Sequence, residues 1–173
     1  MLDKAVFPGT LGSVHLQAIA ANCWVFEKMK SDEFKNTMKQ ILANASALAK
    51  ALTGYGFRIV SGGTDNHIVL TDLRPKNITG KLFQNALEKV GITVNKNMIP
   101  NDPASPFVTS GVRIGLTSTT QRGLKENDIA EIAGIMNKVA AGPEDEANLA
   151  ECKKMAEALI GKFPLYPAGY FAD

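Results

Sequence analysis

The stretch FRIVSGGTDNHIVLTDL, Phe57 to Leu73, decides how the rest of this chain reads. It holds two short β-rich runs, FRIVS (57–61) and HIVLTDL (67–73), separated by a Gly-Gly-Thr-Asp-Asn turn. That pattern predicts an antiparallel hairpin. Thr64, Asp65 and Asn66 can each bond side chain to backbone, so the turn reads as a rigid device that sets strand register. His67, one of two histidines with His15, opens the second run. Either it serves the backbone of the turn or it carries chemistry. His15 is open in the same way.

Upstream, the texture is helical. Residues 1–13, MLDKAVFPGTLGS, read as an irregular, glycine-rich arm. Val14, Ala18, Ala21 and Val25 then recur at helical spacing with Trp24 beside them. SDEF (31–34) reads as a helix start, with Ser31 as cap and acids in the first turn. The periodicity runs through Met38, Ile41, Leu42, Ala45, Leu48, Ala49 and Leu52 and stops at Gly54-Tyr55-Gly56.

Downstream, Thr79 caps a helix with Leu82, Phe83, Ala86, Leu87 and Val90 on one side, ended by Gly91. ITVN (92–95) reads as a third strand. Residues 96–110 hold three prolines and form a long loop of the kind that often carries function. SGVRIGL (110–116) is the next strand. Residues 127–140 and 145–161 are amphipathic helices separated by Ala141-Gly142-Pro143. The aromatic, proline-rich tail FPLYPAGYFAD is expected to lie against the body. The order of elements gives an α+β sandwich, a small sheet with helices packed on one face.

Composition narrows the function. A length of 173 residues, 45% hydrophobic and 21% charged, suits one domain with an attached arm. A net charge of +2, with Lys and Arg scattered, argues against nucleic acid or an acidic membrane surface as partner. No apolar run is long enough for a bilayer, and Met1-Leu2-Asp3-Lys4 does not begin a signal peptide. Cys23 and Cys152 read as separate thiols in a reducing cytoplasm rather than a disulfide or metal pair. With two His and no CxxC, no metal site is expected.

Arg113 is the charge that stands out, set between Val112 and Ile114 in an otherwise buried-looking strand. A guanidinium there needs an anion. It is either an edge-strand arginine paired with a neighbouring acid or a binder of a substrate carboxylate or phosphate. The arm FPGTLGS places glycines before a helix, where backbone N–H groups could meet a phosphate. It lacks a P-loop lysine and a preceding strand. No nucleophile–base pair or paired carboxylates appear.

Several motifs resemble serine hydroxymethyltransferase, in the order and spacing of that family's C-terminal part. They are AVFPGT (5–10), SGGTDNHIVLTDLR (61–74), GITVNKN (91–97), IPNDP (99–103), SPFVTSGVRIG (105–115) and QRG (121–123), spanning about Ala5 to Val139. The resemblance implies a fold-type I pyridoxal 5'-phosphate enzyme that moves the hydroxymethyl carbon of serine to tetrahydrofolate, leaving glycine. It implies that residues 1–30 end the large cofactor domain as a helical arm, and that 31–173 form the small C-terminal α/β sandwich domain. Arg113 then matches the arginine that clamps the substrate carboxylate, and Asn97 a position that contacts the folate pteridine. Gly12 matches a glycine, followed by Ser13, that offers an N–H to the cofactor phosphate across a homodimer interface.

Three departures qualify it, one being Gly115-Leu116-Thr117 where the family has a GTP-type stretch after the arginine. The family run FPGTQGGPLMH is FPGTLGSVHLQ here, with Leu11, Ser13, Val14 and Gln17 at altered positions; a related aldol-type specificity stays open. The Schiff-base lysine, the aspartate on the pyridine nitrogen and the ring-stacking histidine have no matching segment. The expectation is therefore a piece of a larger enzyme, inactive and without cofactor by itself and completed by a missing large domain. The rival is a free-standing binding or assembly module built from the same domain.

Overall fold

A computed structural model describes residues 1–166. Tail residues 167–173 lie outside the described residues. The chain divides into two compact units, Met1–Asn36 and Thr37–Asp173.

The first unit holds a short helix, α1 (Leu2–Val6), and a longer one, α2 (Leu16–Met29), neither with a buried side chain. The helix α1 corrects the expectation of an irregular arm over 1–13. It survives as one turn because Phe7 N–H closes back on the Asp3 carbonyl at 2.8 Å. A third helix, α3 (Asp32–Gly54), starts as its sequence predicts, with Ser31 Oγ accepting from Phe34 N–H at 3.2 Å.

In the second unit, α3 buries Ile41, Asn44, Ala45, Leu48, Ala49 and Leu52, three and four residues apart. Asn44 sits in this apolar stripe at 0% exposure. Its Nδ2 donates to Thr120 Oγ1 (2.8 Å) and to the Leu124 carbonyl (2.9 Å), so the polar group is satisfied. The expected hairpin follows, as β1 (Arg58–Ile59) antiparallel to β2 (Ile68–Asp72). Helix α4 (Gly80–Lys89) begins at Thr79, whose Oγ1 accepts from Leu82 N–H, and ends at Gly91 with φ +83°.

The third strand, β3 (Asn95–Asn97), corrects the reading of 92–95 as a strand. Val94 is buried as an apolar residue should be, but pairing begins only at the polar Asn-Lys-Asn. Next come β4 (Gly111–Gly115), a short α5 (Thr117–Gln121) not anticipated in the sequence, α6 (Glu126–Ala141) and α7 (Glu146–Ile160). The sheet is antiparallel throughout, in the order β1-β2-β4-β3.

Alternation divides that sheet cleanly. Ile59, Val69, Val112 and Ile114 join the core with Leu48 and Leu52 of α3, Phe83 and Leu87 of α4, Ile129 and Met136 of α6 and Cys152 of α7. Each fully buried side chain of that size contributes about 1.5–3 kcal/mol. Thr71 shares this face and has the one buried side-chain oxygen without a partner among the described residues. Phe163, the start of the tail, packs on the same core, and Arg122 holds its carbonyl through Nε (3.0 Å) and Nη2 (2.6 Å). The fold is α+β, a four-stranded sheet with helices on one face.

Candidate functional site

The other sheet face carries the polar groups. Register places Arg113 opposite Leu70 on β2 and Asn95 on β3, and Gly111 opposite Asp72 and Asn97. Arg58 lies opposite Asp72. Arg58, Leu70, Asp72, Arg113, Asn95 and Asn97 therefore share one side. Arg113 is exposed, not buried as its apolar neighbours suggested, because alternation sends Val112 and Ile114 to the core and the guanidinium outward.

The partners of the arginines separate their roles. Arg58 Nη1 reaches Asp72 at 2.6 Å, and Arg74 reaches it through Nη2 at 2.8 Å and Nε at 3.0 Å. Asp72 is 1% exposed beneath them. The Arg74 guanidinium foremost, with the Arg74 amide and Arg58, outweighs burial and holds the Asp72 carboxyl at about 2. Arg122 is occupied by the Phe163 carbonyl. Arg113 has no acceptor among the described residues, so the paired edge-strand alternative does not hold here.

Asn97 sits diagonally from Arg113 on the adjoining strand, and its Nδ2 donates to the Met98 carbonyl at 2.6 Å. The loop between these strands closes on Asp102. Its Oδ1 accepts from Ala104 N–H (2.9 Å) and Ser110 Oγ (2.6 Å). Its Oδ2 accepts from Ser110 N–H (2.9 Å) and Ile99 N–H (3.2 Å). Desolvation alone would push this carboxyl up; the Ser110 hydroxyl and amide, with Ala104 and Ile99, win and hold it at about 2. Asp102 was missed in the sequence, where the Asn-Asp-Pro turn signal was the available cue.

The loop then docks on α4. Gly80 and Lys81 N–H donate to the Thr109 and Val108 carbonyls at 2.9 and 3.0 Å. A Cβ at position 80 would run into Thr109 Oγ1 and the Gly111 carbonyl, so only glycine fits. Asn101 and Thr109 take positive φ, 54° and 58°, at about 1–2 kcal/mol each, which the surrounding bonds offset.

In the 57–73 stretch, Thr64 Oγ1 donates to the Ile68 carbonyl (2.6 Å) and Asn66 Oδ1 accepts from Ile68 N–H (2.8 Å). Those two residues build the rigid turn. His67 does so only through its carbonyl, which accepts from Leu116 N–H at 3.0 Å; its imidazole is exposed and unbonded among the described residues.

Gly12 and Ser13 belong to the Met1–Asn36 unit, a few residues before α2, and are exposed. Neither N–H donates to a described residue, and nothing lies within 4 Å of where a Gly12 Cβ would stand. That donor set suits a phosphate group. Cys23 is exposed, and Cys152 is buried with its thiol pushed up by desolvation. Among the described residues no cluster of His, Cys, Asp or Glu could hold a metal, and no helix is long and apolar enough to cross a membrane.

The described residues thus form a mixed fold whose open sheet face carries guanidinium groups, two of them tied to Asp72 and one, Arg113, without an acceptor. Residues 1–136 match the family model of serine hydroxymethyltransferase, and the chain belongs to that family.

Proposed function

We propose that this chain supplies the substrate-recognising face of a pyridoxal-phosphate-dependent serine hydroxymethyltransferase that interconverts serine and glycine with tetrahydrofolate. In this reading residues 31–173 are the small C-terminal domain of a fold-type I enzyme, and 1–30 end its large domain. The carrying observation is Arg113. Arg58, Arg74 and Arg122 all have acceptors, whereas Arg113 stands in the middle of the open face with none among the described residues.

Pyridoxal phosphate, when bound, supplies the electron sink for breaking a bond at the substrate Cα. The residues of this chain do the positioning. Arg113 grips the substrate carboxylate with two parallel N–H donors and so orients the bond to be broken. Asn97, one strand away, offers its amide to the pteridine of tetrahydrofolate. Gly12 and Ser13 offer N–H groups to the cofactor phosphate, across the interface of a cytoplasmic homodimer. The lysine that holds the cofactor comes from a large domain, so these 173 residues alone form no imine with it.

The test is Arg113→Lys in the holoenzyme. Lysine keeps the charge and loses the fork, so catalytic efficiency for serine should fall by the equivalent of about 2–5 kcal/mol. Amine substrates without a carboxylate should be indifferent. An efficiency within about threefold of the parent, under ~1 kcal/mol, rules out Arg113 as the clamp.

A further inference from the structure

We propose that Asp102 is a positioning residue that sets the relative placement of Asn97 and Arg113, and through them the grip on the substrate carboxylate. The proposal rests on the reading of Arg113 given above.

The argument begins with what the ladder leaves undetermined. Strands β3 and β4 pair only over Asn95↔Arg113, Lys96↔Val112 and Asn97↔Gly111. So short a ladder, with β3 at the edge of the sheet, leaves the strand ends free to splay unless something ties them. Asp102 is that tie. One carboxylate oxygen takes Ile99 N–H, two residues beyond Asn97, and Ser110 N–H, three residues before Arg113. The other takes the Ser110 hydroxyl and Ala104 N–H. The exit of β3 and the entry of β4 are thus pinned to a single planar group. No other side chain of the loop bonds to both strand ends among the described residues.

Arg113 makes no hydrogen bond or ion pair among the described residues, so its aim follows the β4 backbone, whose entry at Ser110 is bonded to Asp102. Displacing a substrate-positioning group by about 1 Å can cost 10²-fold in rate. A carboxylate is required because all four of its partners are donors. Asparagine presents one NH2 group, and whichever way the amide turns, that group meets at least one backbone N–H.

Asp102→Asn and Ser110→Ala are compared with Arg113→Lys in the holoenzyme, by calorimetric binding of glycine, serine kinetics and urea unfolding. Asp102→Asn should weaken glycine binding and raise the serine KM about tenfold, with kcat within about threefold. Ethanolamine, which has no carboxylate, should bind as before. Ser110→Ala removes one of the four bonds and should show the same pattern at about threefold. It decides the matter if Asp102→Asn does not fold. A loss of urea stability with unchanged glycine affinity, or equal weakening for glycine and ethanolamine, overturns the proposal and leaves Asp102 a loop-folding residue. If Arg113→Lys also leaves glycine affinity unchanged, the clamp reading has failed and the proposal goes with it. If only Arg113→Lys weakens glycine, the clamp stands and the positioning role alone is lost.

Discussion

At the β1–β2 end of the open sheet face, Arg58 and Arg74 close on Asp72, whereas one strand over, on β4, Arg113 meets no acceptor among the described residues. The side chains are chemically identical and share one surface. What differs is the acid. Asp72 is buried and acceptor-only, so it fixes both cations at the β1–β2 corner, their net single positive charge spread over two pinned guanidinium groups. Arg113 keeps its charge and its full set of donors in solvent, where holding them costs the fold little. The Asp72 cluster commits its electrostatics to structure; in the proposed reading, Arg113 keeps its own for a ligand.

The largest effect expected from breaking this contrast is at Asp72. Asp72→Ala leaves two guanidinium groups side by side and strips the acceptor from the Arg74 amide. Because Arg58 and Arg74 remain 58% and 47% exposed, water compensates in part, and the loss should be about 2–3 kcal/mol. Urea unfolding measures it. A loss below ~1 kcal/mol would put the paired cluster on the same footing as Arg113.

Next comes acid. Asp72 has a folded pKa of about 2, below the ordinary value of 3.8. Between those values the unfolded chain binds more protons, so lowering pH favours unfolding. Stability should be level above about pH 5 and fall as pH drops, by about 2 kcal/mol from Asp72. Asp102, less buried, should add about 1 kcal/mol over the same window once solvent screening is allowed for. Urea midpoints at several pH values test this, and Asp72→Asn should flatten the Asp72 share of the slope. An unchanged slope in that variant would mean that the arginines are not what holds the carboxyl down.

The smallest effect sharpens the other side. Arg113→Ala should change unfolding free energy by no more than about 0.5 kcal/mol, since the side chain is exposed and no hydrogen bond or ion pair among the described residues is lost with it. A loss above ~1.5 kcal/mol would make Arg113 a structural residue like its two neighbours.

Much of the fold was legible in the sequence, for local reasons. Caps at Ser31 and Thr79, the stop at Gly91 and the 3.6-residue apolar rhythm are encoded within a turn or two of where they act. The hairpin was legible for the same reason, since Thr64 and Asn66 bond to Ile68 nearby. The failures are where distant chain decides. β3 forms at Asn95–Asn97 because β4 is there to pair with it, and the apolar Ile92 and Val94 drew its start three residues too early. The helices α1 and α5 are single turns, below the length at which periodicity gives a signal, and α5 is rich in threonine. Arg113 was visible as an oddity, but its exposure follows from which face the helices cover. Asp102 showed only as part of a turn signal, because its partner Ser110 joins it only when the loop closes.

Gly80 sets the mechanical character of the strand that carries Arg113. A joint with no spare volume transmits displacement instead of absorbing it, and the Gly80–Thr109 contact is such a joint. Thr109 and Val108 are bonded to the first turn of α4, and Phe83 and Leu87 root that helix in the core. The backbone leading into β4 therefore breathes with the helix and the core beneath it, although the loop around it is open to solvent. The charge of Arg113 thus stands on a strand whose entry is packed and bonded against α4.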